Sequence, residues 1–335
     1  MKIALFSNKK YWSEYFDKTK SSHEIKYLDV PLNEQTAEIA KGFDAVCAFV
    51  NDCLERTVLS VLGNNGVKCV LLRCAGFNNV DLKAAKEFGI TVLRVPAYSP
   101  HSVAEFAVML LLELNRKLIK SYLRVREGNF SLDGLVGGEM HGKTVGVIGT
   151  GNIGRIVSKI LLGYGCNVIA YDVFESDEAK KMGVKYVTLD EIWKQADMIS
   201  LHTPLLKDTY HMINDETIGK MKEKIVIVNT SRGGLVDTKA VIRGLKSGKI
   251  GALGLDVYEE ETGLFFNDTS DLILQDDVLA RLMTFNNVII TGHEAWFTDT
   301  SLKQICQITL GNMTDFEKGT IKKENLVEYQ PQPNK

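Results

Sequence analysis

Short apolar segments alternate with helical patterns along the first hundred residues of the chain. The apolar segments predict β-strands at Ile3–Phe6, Ile25–Leu28, Ala45–Val50, Cys69–Leu72 and Thr91–Val95. Stretches with helical spacing lie between most of them, including 34–41 and 81–87. Strands that alternate with helices are typical of parallel sheets covered on both faces, so this part of the chain predicts an α/β domain.

A proline-rich turn at 95–100 separates this pattern from a second one. Apolar residues with helical spacing then predict one long helix from about Ser102 to Arg126. Apolar strand segments resume at Thr144–Ile148, Val168–Tyr171, Met198–Leu201, Ile225–Val228, Ala252–Val257 and Val288–Ile290. Most of them lack alternation, as expected for parallel strands buried on both faces. A last helical pattern covers 300–317.

The segment Gly149-Thr150-Gly151-Asn152-Ile153-Gly154 has the spacing of a dinucleotide-binding turn. In such a turn the first glycine allows the bend, the second lets the backbone approach the pyrophosphate, and the third lets the helix pack closely. The turn follows a predicted strand and opens a predicted helix at 155–162, so backbone N–H groups at the helix N-terminus would face the phosphates. This context, more than the glycines alone, predicts a Rossmann domain.

A carboxylate ends the next predicted strand at the spacing of a ribose-binding acid. Asp172 follows Gly154 by 18 residues, close to the spacing of about 20 in such domains. Its carboxylate would accept hydrogen bonds from the adenosine ribose hydroxyls and would repel a 2′-phosphate. No arginine occurs at 173–176. We therefore predict NAD as the cofactor, in preference to NADP.

The length of 335 residues suggests two domains at roughly 150 residues each. The glycine turn lies mid-chain with a complete set of strands and helices before it, so we expect an α/β domain followed by the Rossmann domain. The remaining C-terminal segment is too short for a domain of its own and could return to pack on the first one.

Composition and charge narrow the class of protein. The net charge is −2, whereas proteins that bind nucleic acid usually carry a basic surplus, so we expect no nucleic-acid partner. No stretch approaches the roughly 18 apolar residues of a transmembrane helix, and the N-terminal apolar run is too short for a signal peptide. We therefore expect a cytoplasmic protein without a membrane partner. The six cysteines form no C-x-x-C pair, so free thiols are expected, with neither a disulfide nor a metal site.

Three polar groups lie just past predicted strands of the second domain, where ligands bind in such sheets. They are Arg232, the glutamates at 259–261, and His293. Hydride transfer to a 2-keto acid needs these residue types. A planar arginine can hold the carboxylate and polarise the keto oxygen, and a histidine can supply the proton. A carboxylate beside that histidine stabilises its charged form.

Taken together, these segments resemble the D-specific 2-hydroxyacid dehydrogenases, and most of all the fermentative D-lactate dehydrogenases. The resemblance covers nearly the whole chain, and its motifs are specific to the family when taken together. They are Arg73–Leu82, Arg94–Pro100, Gly149–Gly154, Val228–Gly233, Gly254–Tyr258, Leu264–Phe266 and Thr291–Trp296.

The resemblance implies a catalytic role for three residues. Arg232 would bind the substrate carboxylate and carbonyl. His293 would be the proton donor in reduction and the base in oxidation. Glu261 would be the partner of His293, because Leu264–Phe266 sets the register of the three glutamates, and Glu259 is the second choice.

The resemblance also implies binding residues. The backbone of Ala75 and Gly76 would cradle the substrate carboxylate, with Tyr98 alongside. Trp296, a bulky residue near the substrate end, leaves the substrate size open. Besides the glycine turn, the positions that match the NAD site are Asn152, Ile153, Asp172, Thr203, Pro204, Thr209, Thr230, Ser231, Arg232 and Asp256.

The implied fold class is α/β, with two Rossmann-like or flavodoxin-like parallel-sheet domains and a cleft between them that holds the active site. The substrate-binding domain would be discontinuous and comprise 1–99 plus 299–335. The NAD-binding Rossmann domain would comprise 100–298. The family also implies a homodimer or homotetramer.

The expected function is reversible, NADH-dependent reduction of pyruvate to D-lactate. Dehydrogenases of the D-2-hydroxyisocaproate or phenyllactate type act on larger 2-keto acids and are the main alternative. A formate dehydrogenase lacks the glutamate partner, and a phosphoglycerate dehydrogenase often has an added regulatory domain. The C-terminal-binding-protein corepressors keep the arginine, glutamate and histidine, so an NAD-sensing interaction protein is a remote alternative.

Several of these residues also have a purely structural interpretation. Arg232 could bridge to a carboxylate and Glu261 could be a solvated loop acid, although their occurrence with His293 favours a site. His202 also ends a predicted strand, where a lone histidine is usually structural, and it would line the site. Cys74 suggests a nucleophile, but no base is indicated nearby, so a structural role is expected. The other histidines, His23, His101, His141 and His211, are expected to be surface or packing residues.

Overall fold

Two mainly parallel sheets organise the chain, each within its own unit. The computed structural model describes residues 1–261 and 263–329. The first unit comprises Met1–Ser99 together with the segment that begins at Phe297, and the second unit comprises Pro100–Trp296. The α/β fold class predicted from the alternating pattern is confirmed. The end of the predicted first domain, 330–335, lies outside the described residues.

The elements follow the predicted alternation closely. In chain order the strands are β1 Lys2–Leu5, β2 Glu24–Tyr27, β3 Ala45–Ala48, β4 Cys69–Leu72, β5 Thr91–Arg94, β6 Thr144–Ile148, β7 Asn167–Tyr171, β8 Lys185–Tyr186, β9 Met198–Leu201, β10 Ile225–Asn229, β11 Ile250–Leu255, β12 Val288–Ile290 and β13 Leu326–Val327. The α-helices are α1 Lys10–Lys18, α2 Arg56–Asn64, α3 Leu82–Glu87, α4 Pro100–Arg116, α5 Leu118–Arg126, α6 Asn152–Gly163, α7 Asp177–Lys181, α8 Leu189–Gln195, α9 Asp215–Lys220, α10 Thr238–Ser247, α11 Asp277–Met283 and α12 Asp299–Lys318. Within the two described ranges, no helix combines the length and apolarity needed to cross a membrane.

The sheet of the first unit has the strand order β13-β5-β4-β3-β1-β2. Strands β1 to β5 pair in parallel, and β13 pairs antiparallel with the edge strand β5. The C-terminal segment closes this unit through polar contacts as well. Asn312 of α12 donates to the Arg94 carbonyl at 2.9 Å, and Asn325 donates to the Asn312 side chain at 2.6 Å. The last helix and strand are therefore integral to the first unit.

The sheet of the second unit has the order β12-β11-β10-β9-β6-β7-β8, and its strands are parallel. Alternate residues of one strand enter different hydrophobic clusters. In β10, Ile225 and Ile227 belong to one buried cluster and Val228 to the other. Because successive side chains of a strand point to opposite faces, both faces of this sheet are covered. The carboxyl ends of β6, β9, β10 and β11 thus lie along one edge of a buried sheet.

The helix predicted over 102–126 is two helices, so the prediction of one continuous helix was wrong. Between α4 and α5, Lys117 has a left-handed backbone with φ of 56°. Polar contacts stabilise this break. The Glu113 carboxylate accepts the Ile119 N–H at 2.9 Å, and the Lys117 ammonium donates to the Gly134 carbonyl at 3.0 Å. Apolar spacing does not register a break that is stabilised by polar side chains.

Of the helical stretch predicted around 34–41, only a short 3₁₀ helix forms, at Ala37–Ala40. The Asn33 side chain accepts the N–H groups of Gln35 and Thr36 at 2.9 and 3.1 Å. The Thr36 hydroxyl donates to the Pro31 carbonyl at 2.6 Å. Such local side-chain bonds to the backbone compete with helix formation.

Candidate active site

The glycine turn lies between β6 and α6, and each glycine meets a different constraint. Gly149 has φ of +93°, and a Cβ there would lie 2.6 Å from the His202 carbonyl oxygen. A Cβ at Gly154 would overlap the Gly149 carbonyl oxygen, so close packing of α6 requires this glycine. At Gly151, by contrast, a Cβ would meet no atom within 4 Å. The turn is tight at its two ends and open in its middle.

The open glycine lies at the N-terminus of α6. Gly151 is the N-cap residue, and no side chain of the described residues caps the helix there. The first-turn N–H groups, including those of Asn152 and Ile153, lack helical acceptors by geometry. An N-terminus of this kind favours an anion such as the pyrophosphate of a dinucleotide.

Asp172 follows β7 directly and is tied to the glycine turn. Its Oδ2 accepts the Thr150 N–H at 2.6 Å and the Thr150 hydroxyl at 3.1 Å, and its Oδ1 accepts the Phe174 N–H at 3.0 Å. Tyr186 of β8 donates its hydroxyl to the Thr150 hydroxyl oxygen at 2.7 Å. Sequence reasoning selected Asp172 but missed Tyr186, because a residue in a two-residue edge strand carries no motif.

The loop after β9 carries three predicted cofactor residues. The Thr209 hydroxyl donates to the Pro204 carbonyl at 2.7 Å and accepts the Leu206 N–H at 2.8 Å. The Thr203 carbonyl accepts the Ser231 hydroxyl at 2.6 Å. These bonds hold the loop after β9 against the loop after β10. The hydroxyls of Thr209 and Ser231 therefore stabilise these loops. A cofactor could use only the hydrogen-bonding capacity that these contacts leave.

His202 lies at the start of the same loop. Its Nε2 is 2.8 Å from the Ser200 hydroxyl. Burial lowers the pKa of His202 to about 4, so its imidazole is neutral at pH 7. This environment favours the structural interpretation of His202.

Arg232 follows β10 in a loop that is held by its neighbours. The Asn229 side chain donates to the Arg232 carbonyl at 2.8 Å, and the guanidinium donates to the Ser231 carbonyl at 2.7 Å. The ion pairs formed by the described residues do not include Arg232, so the structural interpretation of a bridge to a carboxylate finds no support. The neighbouring Thr230 hydroxyl is buried and has no hydrogen-bond partner among the described residues.

His293 and Glu261 form a hydrogen-bonded pair in the second unit. The Nδ1 of His293 lies 2.9 Å from Oε1 of Glu261, and Oε2 of Glu261 accepts the Tyr258 N–H at 3.1 Å. His293 has a left-handed backbone with φ of 57°, and its ring lies 5.5 Å from that of Phe266, centroid to centroid. Both side chains are partly exposed, at 20% and 25%. The imidazole is thus oriented through Nδ1, and the hydrogen bonds of the described residues do not engage its Nε2.

Asp256 and Trp296 stabilise the loop that carries His293. The buried Asp256 accepts the Thr291 hydroxyl at 2.6 Å and the N–H groups of Glu294 and Ala295 at 2.9 and 3.0 Å. Burial raises the pKa of the Asp256 carboxyl, and these hydrogen bonds oppose that rise. The indole of Trp296 donates to the His293 carbonyl at 2.8 Å. The contacts of Asp256 and Trp296 support the loop, a role that sequence reasoning did not assign to them.

A second glutamate and histidine pair separately. Oε2 of Glu259 lies 2.9 Å from Nε2 of His211, and its Oε1 accepts the Thr238 N–H at 3.2 Å. A Cβ at Gly233 would overlap the backbone of Tyr258 and Glu259. The two glutamates therefore have different partners. Glu259 contacts His211 and the Thr238 N–H, whereas Glu261 contacts His293. His211, expected as a surface or packing residue, is a partner of Glu259.

The predicted substrate residues of the first unit follow β4 and β5. The Ala75 carbonyl accepts the Arg94 guanidinium at 3.0 Å, and the Gly76 carbonyl accepts the Cys74 thiol at 3.3 Å. These bonds fix the two carbonyls. The binding of a carboxylate by the N–H groups of Ala75 and Gly76 stays a prediction of the resemblance. Tyr98 is half-buried in the segment between β5 and α4.

The residues of the second unit fit a bound NAD. The open space at Gly151 and the uncapped N-terminus of α6 suit a pyrophosphate, and Asp172 is placed beside that turn. The buried, unpartnered hydroxyl of Thr230 is an orphan polar atom that a ligand would satisfy. Among residues 1–261 and 263–329, no group of three or more metal-ligating side chains is gathered.

Known proteins resemble this chain over almost its full length. Residues 108–295 match the NAD binding domain of the D-isomer specific 2-hydroxyacid dehydrogenases. The chain is 52% identical over 332 residues to 2-hydroxyacid dehydrogenase A of Aspergillus oryzae, covering 98% of this chain and 95% of that protein. Apo D-lactate dehydrogenase of Escherichia coli superposes with a TM-score of 0.90 at 46% identity, covering 98% and 100% of the two chains. The pyruvate reductase of Chlamydomonas reinhardtii superposes with a TM-score of 0.91 at 43% identity, covering 95% and 97%.

Proposed function

Since the chain belongs to the D-isomer specific 2-hydroxyacid dehydrogenase family and binds NAD, we propose that it reversibly reduces pyruvate to D-lactate with NADH. The names of its relatives support this substrate, because they include a D-lactate dehydrogenase and a pyruvate reductase. The observation that carries the proposal is the Glu261–His293 pair in the loops beside Arg232.

His293 is the proposed proton donor. In reduction, a hydride from bound NADH would add to the carbonyl carbon, and the carbonyl oxygen would gain a proton. The Nδ1 of His293 is engaged by Glu261, so Nε2 is the nitrogen that donates this proton. The Glu261 carboxylate stabilises the imidazolium before transfer and fixes the orientation of the ring. In oxidation, the neutral Nε2 takes the proton back.

Arg232 binds the substrate anion. Its guanidinium is free of carboxylate partners among the described residues, and it can bind the substrate carboxylate while polarising the keto oxygen. The negative charge that develops on this oxygen is thereby offset. The roles of Ala75, Gly76, Tyr98 and Trp296 as substrate contacts stay predictions of the resemblance. The cytoplasmic location stays a prediction from the hydropathy of the sequence.

Substitution of the pair tests the catalytic assignment. His293→Gln is expected to lower kcat by roughly 10²- to 10⁴-fold, the usual contribution of a general acid, while NADH still binds. Glu261→Gln should show a large part of this loss. Glu259→Gln is the matched control, because Glu259 contacts His211 and the Thr238 N–H, and it should show a much smaller loss. Near-normal turnover of His293→Gln would contradict the assignment.

A substrate panel tests the proposed function itself. Initial rates of NADH oxidation would be measured by absorbance with 2-keto acids from pyruvate to phenylpyruvate, and the product would be resolved by chiral chromatography. The proposal requires the highest kcat/KM with pyruvate and a D product. Preference for a larger acid would establish the D-2-hydroxyisocaproate or phenyllactate type. Absence of turnover with every acid, despite NADH binding, would favour an interaction protein.

We also propose that the chain forms a homodimer or homotetramer through α5. This helix has no buried residue, yet it exposes five large apolar side chains. Four of them, on two successive turns, are Leu118, Ile119, Tyr122 and Leu123, here called the α5 surface, and the fifth is Val125. Contiguous exposed apolar patches are typical of surfaces that bind another protein.

A further inference from the structure

We propose that Tyr186 and Thr150 form a one-way hydrogen-bond chain that positions the Asp172 carboxylate and sets the preference for NADH over NADPH. Tyr186 and Thr150 are positioning residues, since they act through Asp172. The inference rests on the assignment of Asp172 to the adenosine ribose. It does not depend on which 2-keto acid is reduced.

The direction of the chain follows from the number of hydrogens available. The Ser176 N–H donates to the Tyr186 hydroxyl oxygen at 2.8 Å, and a backbone N–H can only donate. The single hydroxyl hydrogen of Tyr186 is then directed to the Thr150 hydroxyl oxygen at 2.7 Å. The Thr150 hydrogen is in turn directed to Oδ2 of Asp172 at 3.1 Å. Every hydrogen along the chain therefore points toward the carboxylate.

A chain with this polarity directs its donors at one oxygen of the Asp172 carboxylate. Hydrogen bonds in series polarise one another, and their positive ends converge on Oδ2 together with the Thr150 N–H. Among the described residues, Oδ2 thus receives two donors and Oδ1 receives one, the Phe174 N–H. A carboxylate oxygen has about two acceptor sites, so Oδ1 retains the free site for a ribose hydroxyl.

The same polarity disfavours a 2′-phosphate. A phosphate needs hydrogen donors, and the hydroxyls of Thr150 and Tyr186 have already committed their hydrogens toward Asp172. Neither hydroxyl can turn to a phosphate without breaking a bond in the chain. The phosphate would instead face an ionised carboxylate, which repels it.

Packing keeps the chain rigid. Thr150 is buried, and Tyr186 packs against the core that contains β6 and β7. In the sheet, Tyr186 is in register with Ala170 of β7, two residues before Asp172. The Lys180 ammonium lies over the Tyr186 ring, 5.7 Å from its centroid. The donor is therefore held by the sheet edge and is not a mobile surface hydroxyl.

Direct binding measurements on single variants test the proposal. The dissociation constants of NADH and NADPH would be obtained by nucleotide fluorescence titration, with melting temperatures as a check on folding. Tyr186→Phe and Thr150→Val each remove one hydroxyl. Each is expected to weaken NADH roughly three- to tenfold, the effect of one net hydrogen bond, and to weaken NADPH less. Thr150→Ser keeps the hydroxyl and should bind like the wild type, and so should Tyr164→Phe, which alters an exposed tyrosine of the same unit.

A double-variant cycle separates positioning from general damage. In the Asp172→Ala background, Tyr186→Phe should have no further effect on the NADH to NADPH ratio, because the acceptor at the end of the chain is absent. Equal weakening of both nucleotides by Tyr186→Phe, or the same loss in the Asp172→Ala background, would overturn the proposal. If Asp172→Ala itself leaves NADH binding unchanged, the ribose assignment fails and the proposal fails with it. These titrations need no substrate, so their outcome is independent of the 2-keto acid panel.

Discussion

At the residue scale, two glycines of one turn are expected to affect different properties, Gly154 the stability of the fold and Gly151 the binding of the cofactor. A methyl group at Gly151 meets no atom within 4 Å, whereas one at Gly154 overlaps the Gly149 carbonyl oxygen. Gly151→Ala should therefore leave the melting temperature near the wild-type value and weaken NADH binding, because the methyl group enters the space predicted for the pyrophosphate. Gly154→Ala should lower the free energy of unfolding by roughly 1–3 kcal/mol, as expected of an overpacked site.

Both variants would be compared by thermal melts and NADH titration. Gly163→Ala is a control, because a methyl group there also meets no atom within 4 Å and the position lies at the far end of α6. Unchanged NADH affinity in Gly151→Ala would contradict the placement of the pyrophosphate. Normal stability of Gly154→Ala would contradict the close packing of α6.

His202 gives a pH dependence of stability with a defined sign. Its pKa in the folded chain is lowered to about 4, below its ordinary value near 6.5. Above pH 6.5 the imidazole is neutral in both states. As the pH falls below 6.5, the unfolded chain binds a proton that the folded chain does not, so stability falls until about pH 4. At pH 5 the loss is on the order of 1–2 kcal/mol, after allowance for partial exposure.

Denaturant unfolding at pH 7 and pH 5 measures this loss. His202→Asn should lose less stability than the wild type over this interval, because its side chain does not titrate. His141→Asn is the control, since His141 is exposed. The same pH dependence in the wild type and His202→Asn would show that His202 does not contribute.

Chemistry at the strand ends selected Arg232, the glutamates at 259–261 and His293, and the resemblance selected Glu261 among the glutamates. The structure pairs Glu261 with His293, and the catalytic roles stay proposals. Asp256 was assigned to the cofactor, yet its carboxylate is engaged by the loop that carries His293. The contact between Tyr186 and Thr150 joins residues 36 apart in the chain, so it can be recognised only once the register of the sheet is known.

At the element scale, the α5 surface predicts an assembly. Ile119→Lys with Leu123→Lys places two charges on one face of the helix, four residues apart. If the proposed interface exists, burial of these unpaired charges should weaken assembly by about a hundredfold or more. Light scattering after gel filtration would then show a lower mass at micromolar concentration.

A double variant elsewhere controls for added charge. Ile273→Lys with Met283→Lys also replaces two exposed apolar residues, and both lie outside α5. This control should keep the wild-type mass. A wild-type chain that is monomeric at the same concentration, or an unchanged mass of the α5 variant, would contradict the proposed interface.

Element prediction succeeded where burial enforces a continuous apolar run. The predicted central strands β3, β4 and β9 are buried at every residue, whereas the edge strand β2 alternates between exposed and half-buried residues. Prediction failed where a local polar contact decides the backbone, as at Lys117 between α4 and α5 and at Asn33 before the 3₁₀ turn. The strands β8 and β13 have only two residues each, too few for any periodicity.

At the scale of the whole molecule, the C-terminal segment is a structural part of the first unit. Truncation after Gly319 removes β13 and leaves the Arg94 N–H without the Asn325 carbonyl that accepts it at 2.8 Å. Loss of the buried Val327 and of this acceptor should lower the free energy of unfolding by about 3 kcal/mol. Because the glycine turn lies in the second unit, NADH affinity should be retained.

Truncation after Tyr329 is the matched control, since it keeps the described contacts of Asn325 and β13. Chemical unfolding and NADH titration would be run on both truncations. Equal stability of the two would show that β13 does not contribute, and loss of NADH binding in the shorter one would show that the two units are not independent in this respect.

The overlap that a Cβ at Gly233 would create with the backbone of Tyr258 and Glu259 has a consequence for changing this enzyme. The loop that bears Arg232 and the loop that bears Glu261 touch without space for one methyl group. A bulkier residue at Gly233 must therefore displace the loop that bears Glu261. Attempts to evolve a new substrate preference should therefore vary the two loops together. A change at Gly233 alone is expected to move Arg232 and Glu261 relative to each other.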